Sequence, residues 1–185
     1  MIVCPDGDYA SWYFDSPIDT SMKYETHIAK EVPQYIEVHY RTIKERKARA
    51  ITGLSMGGHG AFFFSFRHSD FFGACGSMSG VMDLNSLNKY EIAKRIGDTI
   101  SYADNWKKYS IIYLVEKKAG DSLAIIIDCG IDDGLYPTNK NLHEKMLRLK
   151  IPHDYIERPG DHNWNYWANA VQYQLIFFKN YFDKK

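Results

Sequence analysis

The chain of 185 residues predicts an α/β protein built on a parallel sheet with helices on both faces. Three observations carry this. Leu123-Ala124-Ile125-Ile126-Ile127 is a continuous, β-branched apolar run of strand length, the pattern of a strand buried on both faces. Stretches of helical periodicity alternate with such short runs along the whole chain, which is the order that parallel sheets require. The segments read as strands stop on turn or small residues, at Pro5-Asp6-Gly7, Ser79-Gly80, Asp128-Cys129-Gly130 and Pro159-Gly160. The length suits one domain, residues 1–185, with a sizeable core.

Taken in order, residues 1–4 are apolar and read as a buried strand. Residues 8–22 are polar and aromatic and read as a loop. Residues 26–49 carry a helical pattern, with Ile28, Val32, Ile36, Tyr40 and Ile43 on one face and Pro33 opening a new first turn. Residues 49–54 form a strand. Residues 58–68 form a helix apolar nearly all round, hence buried. Residues 71–78 form the next strand. Residues 83–110 are mixed and polar and read as a lid-like excursion. Residues 111–117 are helical or extended, and a turn is expected at Ala119-Gly120-Asp121.

After the apolar strand at 123–127, residues 138–150 form an amphipathic helix. Leu142, Met146 and Leu149 point inward, and Thr138 or Asn139 stands at its cap. Residues 153–157 are a short strand. Residues 163–182 form a last helix with Trp167, Val171, Leu175, Phe178 and Phe182 on its buried stripe.

Composition narrows the function. Lysine and arginine balance aspartate and glutamate at 23 each, and no basic stripe is visible, which argues against a nucleic-acid partner. No apolar run is long enough to cross a bilayer, so no membrane partner is expected. The first residues lack the basic start and long apolar core of a signal peptide, and the compartment is left open. Cys4, Cys75 and Cys129 are scattered in apolar segments and read as buried free thiols.

Chemistry enters at Gly53-Leu54-Ser55-Met56-Gly57, a G-x-S-x-G pattern between a strand and a helix. Such a turn is tight and strained, and it holds the serine hydroxyl clear of the sheet. A serine hydroxyl needs a base within hydrogen-bond reach and an acid to orient that base. In a parallel sheet, both belong in loops beyond the carboxyl ends of the strands.

Of seven histidines, His27, His39, His59, His68, His143 and His153 lie in or beside regular elements and read as packing or surface residues. His162 alone follows a strand in a loop, with Trp164, Tyr166 and Trp167 crowded behind it. Asp128, Asp132 and Asp133 compete for the orienting role, with Asp133 favoured and Asp132 second. Ser-Asp-His is the chain order of an α/β-hydrolase. A metal site from Asp128, Asp132, Asp133, Asp161 and His162 is the rival chemistry, but it leaves Ser55 unused. The favoured reading implies no cofactor and no metal.

Five blocks of this sequence together resemble the esterase D-like family of α/β-hydrolases. They are Pro5-Asp6-Gly7 with Ser11-Trp12-Tyr13 and Asp15-Ser16-Pro17; Gly53-Leu54-Ser55-Met56-Gly57-Gly58; residues 72–80 with Ser77-Met78-Ser79-Gly80; Asp128-Cys129-Gly130-Ile131-Asp132-Asp133-Gly134-Leu135-Tyr136; and Pro159-Gly160-Asp161-His162-Asn163-Trp164-Asn165-Tyr166-Trp167. That family includes S-formylglutathione hydrolases, tributyrin-type, feruloyl and acetyl-xylan esterases, and mycolyltransferases. The resemblance implies Ser55 as nucleophile, His162 as base and Asp133, closing the Cys-Gly-x-x-Asp stretch, as acid.

The resemblance also implies a departure. Family members begin with further strands and a His-Gly loop that gives a second oxyanion N–H. This chain matches from the fourth strand onward, so a central neighbour of the nucleophile strand is missing. A fragment is the favoured explanation, ahead of supply by another chain or a shift of the first strand into the gap. Self-association by oligomerisation or strand exchange follows as an expectation.

The expected activity is cleavage of carboxylic esters through an acyl-enzyme, on short-acyl, acetyl- or feruloyl-carbohydrate esters. The Met56 N–H is the expected oxyanion donor, and Trp12, Tyr13, Leu135 and Trp164 are the candidate substrate contacts. The alternative is a non-catalytic relative serving as a binding or structural subunit.

Overall fold

A computed structural model describes residues 1–87, 89–118 and 120–184. Asn88, inside the expected excursion, and Ala119, at the expected turn, lie outside the described residues. Among the described residues four parallel strands form the sheet: β1 (Ala50–Leu54), β2 (Ala74–Met78), β3 (Ala124–Gly130) and β4 (Asp154–Arg158). They lie side by side in that order, with Thr52 opposite Gly76 and Gly76 opposite Ile126. Inner strand β2 is buried throughout, and β3 almost so, as the run at 123–127 predicts.

The helices are α1 (Tyr24–Thr26), α2 (Val32–His39), α3 (Met56–Arg67), α4 (Lys89–Ile96), α5 (Ala103–Tyr109), α6 (Ile111–Leu114), α7 (Tyr136–Arg148) and α8 (Trp164–Asp183). One sheet face carries the main core. Phe62, Phe63, Phe64 and Phe66 of α3 pack there with Cys75, Ile125, Ile127, Leu142 and Met146. Helix α3 is buried nearly all round because Phe14 and Tyr109 close over it, with Phe14 at 5.2 Å from Phe63 and 4.6 Å from Tyr109. Each such phenylalanine contributes on the order of 2 kcal/mol by leaving water.

Helix α8 covers the other face. The Thr52–Gly76–Ile126 row meets it, and Gly76 leaves a notch that Gln174 fills: a Cβ on Gly76 would lie 1.8 Å from Gln174 Oε1. The Thr52 hydroxyl donates to the same oxygen at 3.0 Å. The buried positions of α8 are therefore Tyr166, Trp167, Ala170, Gln174 and Phe178. This corrects the expected stripe, since Leu175 and Phe182 are about half exposed. The stripe is displaced because a glycine notch accepts a polar side chain that a hydrophobic pattern passes over.

Three further expectations are corrected near the start. Residues 1–4 form no strand; Met1, Ile2 and Val3 are exposed, and Cys4 is an exposed thiol. Among the described residues β1 has β2 on one side and no partner on the other, so the first strand does not shift into that place. The helical pattern of 26–49 also breaks. A π-helical turn at His27–Glu31 leads into α2, which ends at His39 and has no buried residue, while Tyr40 is extended and Ile43 exposed. Pro33 does sit in the first turn of α2. Cys75 and Cys129 are buried free thiols as expected.

The middle segment is more deeply packed than its polar composition suggests. Leu84, Ile92, Ile96, Trp106 and Ile111 are all buried, and Trp106 Nε1 donates to the Gly97 carbonyl at 2.9 Å. At α7, Leu135 rather than Thr138 or Asn139 occupies the cap, and Pro137 stands in the first turn. Asn139 is buried instead and donates to the Gly80 and Leu135 carbonyls at 2.8 and 3.0 Å.

Candidate active site

Strand β1 runs straight into a left-handed residue. Ser55 has φ 52° and ψ −117°, and α3 begins at Met56. A non-glycine residue there is strained, and the surroundings must over-determine it. They do so by close approach. A Cβ on Gly53 would lie 2.4 Å from the Gly57 carbonyl carbon and oxygen, and one on Gly58 2.5 Å from Ser77 Oγ. The Ser55 N–H donates to the Met78 carbonyl at 2.9 Å, which ties the turn to the end of β2. The Ser55 side chain does not cap the helix, so its hydroxyl is available.

His162 Nε2 lies 2.9 Å from Ser55 Oγ. Its Nδ1 lies 2.8 Å from Asp133 Oδ2. A carboxylate only accepts, so Nδ1 carries the proton and Nε2 offers its lone pair to the serine O–H. The Asp133 side chain is fully buried, whereas that of His162 is 33% exposed. The other oxygen, Asp133 Oδ1, accepts from the Leu135 N–H at 2.8 Å, which holds the carboxylate in one orientation. Trp167 stands edge-on to the His162 ring at 4.8 Å, and Trp164 edge-on to Trp167 at 5.4 Å. Met56 is the first residue of α3, where backbone N–H groups have no partner within the helix.

The competing aspartates are occupied elsewhere. Asp128 accepts from Tyr166 and Arg158, Asp132 accepts from the Gly160 N–H at 3.1 Å, and Asp161 accepts from the His162 N–H at 2.7 Å. Among the described residues no group of three or more His, Cys, Asp or Glu is arranged to hold a metal ion.

The other histidines are engaged away from Ser55. His59 is fully buried, donates from Nε2 to the Tyr109 carbonyl at 2.9 Å, and has its pKa lowered to about 4 by burial. His143 and His153 bond each other at 2.8 Å. His27 and His68 meet Glu31 and Glu25, and His39 meets the Tyr35 carbonyl.

The four candidate substrate contacts divide. Trp164 is 72% exposed. Tyr13 is half-buried, lies over Gly60, and would have its hydroxyl 3.8 Å from a Cβ on Gly57. Trp12 is in the core, edge-on to His59 at 5.6 Å. Leu135 is also in the core, and it serves the site through its backbone N–H. The Asp128–Arg158–Tyr166 cluster was not singled out by its sequence. Its only signal is a charged residue within each of two adjacent strands, followed by a tyrosine in the first turn of a helix.

A strained serine between a parallel strand and a helix, joined through histidine to aspartate in the chain order Ser-Asp-His, places the protein in the α/β-hydrolase class. The chain belongs to the Esterase family ("Putative esterase"), whose sequence pattern matches residues 1–178, and within the hydrolases it is esterase D-like.

The chain is 27% identical over 191 residues to Esterase Rv1288 of Mycobacterium tuberculosis, covering 88% of this chain and 41% of that protein. It is 28% identical over 206 residues to the diacylglycerol acyltransferase/mycolyltransferase Ag85A of Mycobacterium leprae, covering 92% and 62%. A solved ferulic acid esterase superposes with TM-score 0.76 at 36% identity, over 92% of this chain and 64% of that one. The chain thus spans about two fifths to three fifths of the length of these curated relatives.

Proposed function

We propose that this protein hydrolyses carboxylic esters by acyl transfer through Ser55. The unbroken contact from Ser55 Oγ through His162 to the buried Asp133 carries the reading. His162 Nε2 takes the hydroxyl proton as Ser55 Oγ bonds to the ester carbonyl carbon. The Met56 N–H stabilises the oxyanion that develops. His162 then returns the proton to the leaving alcohol, and water repeats the sequence on the acyl-enzyme. Asp133 holds the imidazole in the correct tautomer and offsets the positive charge it acquires.

The substrates in this reading are short-acyl, acetyl- or feruloyl-carbohydrate esters. The similarity to a ferulic acid esterase supports that class. The exposed Trp164 beside the His162–Trp167 pair gives an aromatic or sugar ring a face to stack on. In this reading Tyr13, packed over Gly60 beside the serine turn, lines the acyl pocket.

The alternative, a non-catalytic binding or structural subunit, is favoured by one feature, the open outer edge of β1. An unpaired strand edge recruits another strand, so self-association or strand exchange belongs to both readings. Labelling with a fluorophosphonate probe separates the two. Adduct on Ser55, located by peptide mass spectrometry, is expected for an activated serine. A folded sample that takes up no probe overturns the hydrolase reading.

A further inference from the structure

We infer that Tyr166, Asp128 and Arg158 form a brace that sets the position of His162, so that Tyr166 and Asp128 are positioning residues for the reaction. The inference rests on the proposed ester hydrolysis at Ser55. It explains a cluster that this chemistry does not use directly.

Three elements meet in the brace. Asp128 lies in β3, five residues before Asp133, and is fully buried. Arg158 is the last residue of β4, four before His162. Tyr166 is in the first turn of α8, four after His162. The Tyr166 hydroxyl donates to Asp128 Oδ1 at 2.6 Å, and Arg158 Nη2 donates to Asp128 Oδ2 at 2.7 Å. The Arg158 guanidinium lies 5.1 Å from the Tyr166 ring centre and 4.4 Å from that of Tyr173. Both oxygens of a buried carboxylate thus meet donors, one of them charged, which is the condition for a buried charge to be tolerated. Burial nevertheless raises the Asp128 pKa, against the opposing pull of Tyr166 and Arg158.

The brace bears on the histidine loop through backbone contacts. The Tyr166 ring presses on Gly160, where a Cβ would fall 2.2 Å from Cδ2. Gly160 in turn packs on Gly130: a Cβ on Gly130 would lie 2.1 Å from the Gly160 carbonyl oxygen. That carbonyl accepts from the Asp132 N–H at 3.0 Å, and the Arg158 carbonyl accepts from the Ile131 N–H at 3.0 Å. The loop that carries the base is therefore fastened to the loop that carries the acid, and the Tyr166 ring is the floor beneath the fastening. The Asn163 side chain completes it by accepting from the Tyr166 N–H at 3.0 Å. Losing the Tyr166 hydroxyl frees the ring to tilt, and Gly160 and His162 follow it.

A small displacement of a base from its nucleophile is enough to slow proton transfer strongly. Tyr166→Phe is expected to lower kcat on a p-nitrophenyl ester by about 10-fold or more with KM nearly unchanged. Asp128→Asn keeps an acceptor for the tyrosine and should lose less than Asp128→Ala. Tyr173→Phe keeps the ring under Arg158 and removes only a hydroxyl that takes no part in the Asp128 bonds, so it should leave kcat intact.

A second readout does not depend on turnover. The His162 Nδ1 proton, held against Asp133, is followed by NMR and should broaden or vanish in Tyr166→Phe. Asp128→Ala, which removes the acceptor, serves the same test if Tyr166→Phe does not fold. Variants that lose thermal stability yet keep both kcat and the imidazole signal overturn the brace, leaving those residues a purely structural role. A wild-type protein without esterase activity refutes the reaction reading instead, and the imidazole signal then decides the brace alone.

Discussion

His162 Nε2 and Ser55 Oγ, 107 positions apart in sequence, meet at 2.9 Å. Two strand ends bring them together. Ser55 follows β1 on a strained turn, and His162 follows β4 on a loop fastened to the end of β3. The buried Asp133 fixes which imidazole nitrogen faces the serine. Most of the behaviour expected of this protein follows from that arrangement.

Asp133→Asn should separate orientation from folding. The asparagine oxygen still accepts from the Leu135 N–H, so thermal stability should change little. Its NH2 group faces His162 Nδ1, however, and draws the proton to the wrong nitrogen. We expect kcat to fall by about 10³–10⁴-fold, as for loss of the orienting acid in serine enzymes generally. A loss below 10-fold, measured alongside an unchanged melting temperature, contradicts the assigned role.

Two neighbouring glycines should respond in opposite ways. A Cβ at Gly53 meets the backbone of Gly57 at 2.4 Å, which cannot yield without moving the serine turn. Gly53→Ala should cost roughly 3 kcal/mol or more in urea unfolding. At Gly57 the nearest atom is the Tyr13 hydroxyl at 3.8 Å. Gly57→Ala should be neutral or stabilising, by up to about 1 kcal/mol from helix propensity. Equal effects at the two positions would show that the close approach of β1 and α3 does not constrain the turn.

His59 makes stability fall in mild acid. Burial lowers its pKa from 6.5 to about 4, so between those values the unfolded chain binds a proton that the folded chain refuses. Nothing is lost above pH 6.5. Below it, stability declines with falling pH until the folded form is protonated as well, a total on the order of 3 kcal/mol. His59→Gln keeps a donor for the Tyr109 carbonyl and does not titrate. Its stability deficit relative to the parent, measured in urea, should therefore shrink as pH drops from 7 to 4.5. Parallel pH profiles for the two proteins would contradict this.

The open edge of β1 and the exposed Met1, Ile2, Tyr35, Val38 and Ile43 predict self-association. Val38→Lys with Ile43→Lys alters only exposed positions and should shift sedimentation profiles toward the monomer. A parent protein that sediments as a monomer at every concentration would remove the basis for strand exchange.

How much of this is legible in the sequence depends on how local the determinant is. The proposed Ser55 and Asp133 each follow an apolar run and His162 a short strand, all in short motifs that are legible without knowing the fold. The strand at 123–127 announces itself because it is buried on both faces. Gln174 does not, since its burial depends on a notch at Gly76, 98 positions away. Residues 1–4 look like a strand by composition, but a strand needs a pairing neighbour, and composition does not supply one. Asp128 reads as a rival acid in the sequence because its partners, Arg158 and Tyr166, are brought to it only by the register of β3 on β4 and by the start of α8. The buried face expected of α2 is not found for a similar reason: a periodic pattern shows which residues share a face, not whether anything covers it.

The most direct test is steady-state hydrolysis of p-nitrophenyl acetate by the parent protein and by Ser55→Ala, with His162→Ala beside them. The account predicts turnover by the parent, with losses of at least about 10³-fold in both variants, because neither the nucleophile nor its base can be replaced by water at the site. Turnover by Ser55→Ala equal to that of the parent would contradict it.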